Sequence, residues 1–130
     1  MKNIDIGDIL VSIWGYGQTN VDFFEVTEKS KTGKTVWLRK LDQFSTDEQG
    51  KKKKYTYRDG EGFTMPKKGK FVPIHDNETG RCTDETPIKK VVKYNSDGEP
   101  FVYMSTARSM ISGRTARLWE GKPVRESWYY

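Results

Sequence analysis

One cysteine and one histidine are all that 130 residues supply of those two types. With Cys82 alone, no internal disulfide can form, which excludes the disulfide-stapled small scaffolds and fits a reducing compartment. A zinc site wants several Cys or His ligands, and hydrolysis by a Cys-His dyad wants a marked nucleophile. His75 and Cys82 share a loop, yet nothing around them marks a nucleophile elbow or an activating helix start. No apolar run approaches the roughly 18 residues of a membrane span, and MKNIDIGDIL has neither the basic start nor the apolar middle of a secretory signal. The expectation is a soluble, cytoplasmic chain with no membrane contact. Gly15-Tyr16-Gly17 lacks the rest of a dinucleotide fingerprint, and no Walker-type sequence occurs. Asp76, Glu78, Asp84 and Glu85 offer oxygens for a cation without the EF-hand spacing, and read as a solvated acidic loop. No catalytic residue, metal or cofactor is expected.

What is present is charge and aromatic surface: 32% charged residues, 13% aromatic and 34% hydrophobic. The length suits one domain with one modest core, to which Trp, Tyr and Phe must contribute much of the buried area. Net charge is +5 and unevenly placed. Residues 1–28 hold Asp5, Asp8, Asp22, Glu25 and Glu28 against Lys2. Residues 51–70 hold Lys51, Lys52, Lys53, Lys54, Arg58, Lys67, Lys68 and Lys70 against Asp59 and Glu61. One basic face is expected, suited to a polyanion.

Alternating and β-branched runs predict strands over residues 4–14, VDFFEVTE and KTVWLRKL, an antiparallel meander spanning 4–42. Residues 42–50 read as polar turn, and KKKKYTYRDGEGF as a basic strand in a loop-rich insertion covering 43–87. In the last part, 88–130, IKKVVKYNSDGEPFVYMS and TARLWEGKPVRESWYY read as hairpins, with a short helix near 106–112 between them. The fold class expected is mainly β: a small antiparallel barrel or rolled sheet with an SH3-like core, an inserted basic hairpin and one short helix. Ile9, Val11, Ile13 and Phe23 fall on the core side by alternation. Trp14 reads as buried under the second hairpin, against Trp119.

GDILVSIWGYGQTNVDFFEV, taken with RTARLWEGKPVRESWY, resembles a group of short proteins encoded by bacteriophages and other mobile elements. Its members open on a Gly-Asp-Ile entry, a Trp-Gly-Tyr turn and a Gln-Thr-Asn-Val-Asp-Phe stretch, and end on a Leu-Trp-Asp/Glu-Gly-Lys-Pro hairpin. The resemblance covers both ends of the chain and leaves DEQGKKKKYTYRDGEGF unmatched. It implies a mobile-element origin, and implies action by binding nucleic acid or a host protein, including enzymes of antiviral defence.

Two binding readings follow. In the first, a nucleic-acid module, Tyr55 and Tyr57 stack on bases while Lys51, Lys52, Lys53, Lys54 and Arg58 hold phosphates, with single-stranded DNA or RNA favoured. Lys67, Lys68, Arg108, Arg114 and Arg117 extend that face, and Tyr16, Gln18 and Asn20 form a recognition loop. In the plainer version of the same surface the tyrosines enter the core and the lysines guard a sheet edge. The second reading is an inhibitor of a host defence protein. Sequestration of an anionic nucleotide is a weaker third. Oligomeric state stays open.

Overall fold

The computed structural model describes residues 3–14, 19–73, 87–104 and 115–128. They form nine strands: β1 (Ile9–Trp14), β2 (Asn20–Lys29), β3 (Thr35–Thr46), β4 (Glu61–Phe71), β5 (Ile88–Val91), β6 (Lys93–Tyr94), β7 (Pro100–Tyr103), β8 (Thr115–Leu118) and β9 (Val124–Ser127). The mainly β, antiparallel character expected from the sequence is present. The helix expected near 106–112 lies outside the described residues. Among those residues there is no α-helix, only a 3-10 turn at Tyr57–Asp59, and none is long and apolar enough to cross a membrane.

Strand order is β6-β7-β8-β1-β2-β3-β4-β9, with β5 on the free side of β3. The sheet does not close into a barrel, and the reason lies in its last two strands. β8 pairs with β1 and β7, whereas β9 pairs with β4, so the expected C-terminal hairpin is instead a corner. Trp119 shapes that corner. Its backbone N–H extends the β1 contact to Ile9 O, while its indole Nε1 donates 2.7 Å to Lys122 O. Pro123 then has no N–H for a hairpin ladder. β9 returns to the entry of β2, where Ser127 N donates to Thr19 O and Thr19 N to Ser127 Oγ.

The central strands bury both faces. Leu10, Phe24, Val26, Val36, Leu38, Val102 and Ala116 pack on one side with Ile4 and Val92. Val11, Val21, Phe23 and Leu41 pack on the other under Trp119, Phe71 and Val124. Alternation dictates this: in the β1–β2 register Leu10 faces Phe24 and Val11 faces Phe23, so neighbours along each strand enter different cores. Phe23 is fully buried and meets Trp119 edge-on, ring centroids 5.8 Å apart.

Two expectations fail here. Ile13 is 43% exposed because it sits past the β8 pairing, which ends at Leu10 and Val11. Trp14 lies on the Leu10 side by alternation and so cannot meet Trp119. It is half-buried, and its Nε1 donates to Asp22 Oδ2 at 2.8 Å.

Candidate nucleic-acid interface

β3 is longer than its sequence suggests. The stretch expected to be polar turn continues as strand to Thr46, because Gln43, Phe44, Ser45 and Thr46 find partners in Pro66, Met65, Thr64 and Phe63 of β4. The buried hydroxyl of Thr64 binds Gln43 Nε2 and Phe44 O, so the outer ladder is held by polar bonds. Asp47 then reverses the chain. Its Oδ1 accepts the N–H groups of Gln49 and Lys51, both at 2.9 Å, and Gly50 takes the positive φ of 87° that the turn demands.

The reversal lays the lysine run along β3. Lys52 bridges Thr46, and Lys53 N donates to Ser45 O at 3.1 Å. The basic strand expected over KKKKYTYRDGEGF is therefore a single bridge followed by irregular backbone and the 3-10 turn. Lys51, Lys52, Lys53 and Lys54 all face solvent. Lys52 Nζ stands 5.9 Å from the centre of the Phe44 ring and Lys53 Nζ 5.0 Å from that of Tyr55.

Tyr55 is an anchor rather than a free stacking ring. Its hydroxyl donates to Thr46 O, its ring meets Trp128 edge-on at 6.0 Å, and it lies so close over Gly62 that a Cβ there would fall 2.7 Å from the ring. Tyr57 starts the 3-10 turn and Arg58 follows it, exposed. The Asp59 carboxylate accepts from Thr56 N at 2.6 Å, and Gly60 ends the turn with φ 71°.

A second basic segment arrives from β4. Leu41 pairs with Phe71 and Gln43 with Pro66, so the single Asp42 is set against residues 67–70, which bulge out of the ladder. Gly69, with φ 77°, permits the bulge, and its N–H reaches Glu25 Oε1 at 3.2 Å. Lys67, Lys68 and Lys70 are exposed on it. Lys67 Nζ contacts Asp42 Oδ2 at 3.2 Å. Asp42 is held below its ordinary carboxyl value, first by the N–H of Gln43 and then by Lys67.

Together the two segments enclose a groove of about 500 Å³ lined by Phe44, Ser45, Lys52, Lys53, Lys54, Tyr55 and Lys67. Among the described residues, Lys52, Lys53, Lys54, Lys68 and Lys70 have no carboxylate partner. Across the lysine run lies a hollow of opposite sign, about 390 Å³, with Asp47, Glu48, Asp59 and Glu61 in its wall. An anion is thus drawn to the Phe44 side.

Arg117 lies elsewhere. It lines a hollow of about 600 Å³ where Arg117, Lys122 and Arg125 are offset by Asp8, Glu99 and Glu120, so that hollow does not select an anion. Asn20 stands opposite Trp14 at the start of β2. Tyr16, Gln18, Arg108 and Arg114 lie outside the described residues, as do His75, Cys82 and the acidic residues Asp76, Glu78, Asp84 and Glu85. Among the described residues no cluster of three metal-ligating side chains occurs. Sequence reading passes over Phe44, the ring at the groove's floor. Its signal was alternation: Leu41, Gln43 and Ser45 share one side, leaving Phe44 with Asp42 on the other.

Comparison with protein-family models, curated proteins and solved structures gives no match for this chain.

Proposed function

We propose that the chain is a non-enzymatic nucleic-acid-binding module whose contact is the groove between the lysine run at residues 51–54 and the lysine bulge at residues 67–70. The observation that carries this reading is the meeting of two basic segments, distant in sequence, around the half-exposed ring of Phe44. Lysines on both walls hold phosphates as point charges, and a ring between them offers a face to a base. Single-stranded DNA or RNA suits this groove, since a duplex keeps its base faces stacked inside. By the resemblance of its two end motifs, the proposed setting is the cytoplasm of a bacterium carrying a bacteriophage or other mobile element.

The test is fluorescence-anisotropy titration of single-stranded DNA, duplex DNA and RNA across a range of salt. The parent should bind single strands with affinity falling linearly in log salt. Changing Lys52, Lys53 and Lys54 to Ala should weaken binding and lower the slope by about 2, near 0.7 for each lost phosphate contact. Absence of salt-dependent binding to all three nucleic acids overturns the reading.

A further inference from the structure

The lysine run at residues 51–54 carries opposite charge on its two flanks. On one side lies the groove with Phe44, lined by Lys52, Lys53, Lys54 and Lys67. On the other lies the hollow whose wall sets Asp47, Glu48, Asp59 and Glu61 against Lys53. Lys53 and Tyr55 line both, so the run is a positive ridge with a negative trough beside it. The fold fixes the trough: Asp47 makes the chain reversal, Asp59 ends the 3-10 turn and Glu61 opens β4. Ridge and trough do not neutralise each other within one chain. Among the described residues, Lys52, Lys53 and Lys54 make no ion pair with these carboxylates, and the exposed Glu48 has no cation against it. Asp47 and Asp59 accept backbone N–H groups, from Gln49 and Lys51 and from Thr56, which leaves their charge in place. Glu61 pairs with Arg125 in full view of solvent.

We propose that two copies of this chain associate about a twofold axis at this ridge, each lysine run lying in the acidic hollow of the other copy, and that the pair occludes the nucleic-acid groove. A twofold interface uses the same patch on both copies, so the patch must complement itself. Here a half-turn sets the positive ridge of each copy over the negative trough of the other, and both contacts form at once. A nucleic acid satisfies the lysines alone and a basic protein the carboxylates alone, so a second copy is the partner that uses both flanks. The net charge of +5 opposes association, but it is spread over the whole surface, whereas ridge and trough meet at contact distance, where Coulomb attraction is strongest. One ridge and one hollow per copy make a small contact, so the pair is transient and forms as concentration rises. Self-association stands on the two charged flanks by themselves. Its effect on the groove rests on the nucleic-acid reading above, because Lys52, Lys53 and Lys54 serve in both contacts. A single strand that binds the separate copies therefore draws the pair apart.

The test is sedimentation velocity on the full chain over a range of concentration, at low and at near-physiological salt. The sedimentation coefficient of the parent should rise with concentration, and the rise should shrink as salt is added. Two charge-reversed variants separate the flanks. Lys52→Glu with Lys54→Glu turns the ridge acidic, and Glu48→Lys with Glu61→Lys turns the trough basic; all four side chains are exposed, and circular dichroism checks that both variants fold. Each alone should stay monomeric, and an equimolar mixture should associate more tightly than the parent. A parent that stays monomeric at every concentration in low salt overturns the proposal. So does parental self-association by either folded variant, or a mixture of folded variants that stays monomeric. A short single-stranded DNA added to the parent gives a reading that needs no variant: it should convert pairs into complexes holding one copy, and strand bound to intact pairs overturns the occlusion. The two readings fail separately. A parent that binds strand and never pairs removes this inference and leaves the groove, while a parent that pairs and binds no strand removes the groove and leaves the self-association.

Discussion

In β2 the neighbours Phe23 and Phe24 are 0% and 2% exposed, while four lysines in a row at residues 51–54 all face solvent. The first pair lies in regular ladder, Phe24 between Leu10 and Lys40 and Phe23 opposite Val11, and each side of the strand has a core to fill. The second lies where regular pairing has stopped after a single bridge. The same holds on β4, where lysines gather at the bulge of residues 67–70 and not in the regular stretch before it. Around this groove, regular backbone serves packing, and the lysines sit where the backbone leaves the ladder.

The comparison is broken most directly at Phe23. Phe23→Ala empties a fully buried site and removes the contact with Trp119, and should cost about 3–5 kcal/mol in urea denaturation. The Lys52, Lys53 and Lys54 alanine variant should stay within about 0.5 kcal/mol of the parent in the same assay. A costly lysine variant, or a cheap Phe23→Ala, would erase the distinction.

Gly62→Ala tests the joint between the two regions. The added Cβ would sit 2.7 Å from the Tyr55 ring, and the ring is hemmed by Trp128, so it must move. Overpacking of this kind costs about 1–3 kcal/mol. Because Tyr55 follows directly on the lysine run, the same variant should also weaken single-strand binding in the anisotropy assay. Loss of stability with parental affinity would show that the run holds its place without the ring.

The smallest expected effect is one of pH. Burial raises the Glu126 carboxyl above its ordinary value of 4.5, so the folded chain holds that proton more tightly than the unfolded chain does. Its contribution is complete below 4.5 and is lost as pH rises through the folded value. Glu126→Gln should therefore raise the urea midpoint near about pH 7, with the gap to the parent closing on acidification. Asp42 runs the other way: held low, it favours folding above 3.8 and ceases to as pH falls through its folded value. With a side chain 46% exposed its share is screened.

Much of the central sheet was legible in the sequence. Alternation in KTVWLRKL put Val36 and Leu38 on one side, where they are fully buried, and the Asn-Ser-Asp-Gly turn sits between β6 and β7 with Asn95 Oδ1 accepting from Asp97 N and Glu99 N. Pairing partners were less legible. TARL and VRES look like two arms of a hairpin because only a Glu-Gly-Lys-Pro stretch and Trp119 separate them, yet each is claimed by a distant strand. The same limit hid half of the groove. Lys67 and Lys68 announce themselves as charge, but only the β3–β4 register shows that they bulge, which brings Lys67 beside Lys52 and Lys53. Phe44 was hidden by its polar neighbours, whose strand pairing is decided by residues 63–66.

The corner at Trp119 sets an order of events during synthesis. β1 finds one partner in β2 almost at once, but its other edge waits for Leu118 and Arg117, which emerge some hundred residues later. Through that interval Ile9–Trp14, an apolar strand, presents unpaired amides and carbonyls, the kind of edge on which nascent chains associate. Contacts this remote in sequence also slow folding. A chain cut short before β8 would also lose β9 and the Trp128 ring that meets Tyr55 beside the lysine run, and would be prone to aggregate along β1.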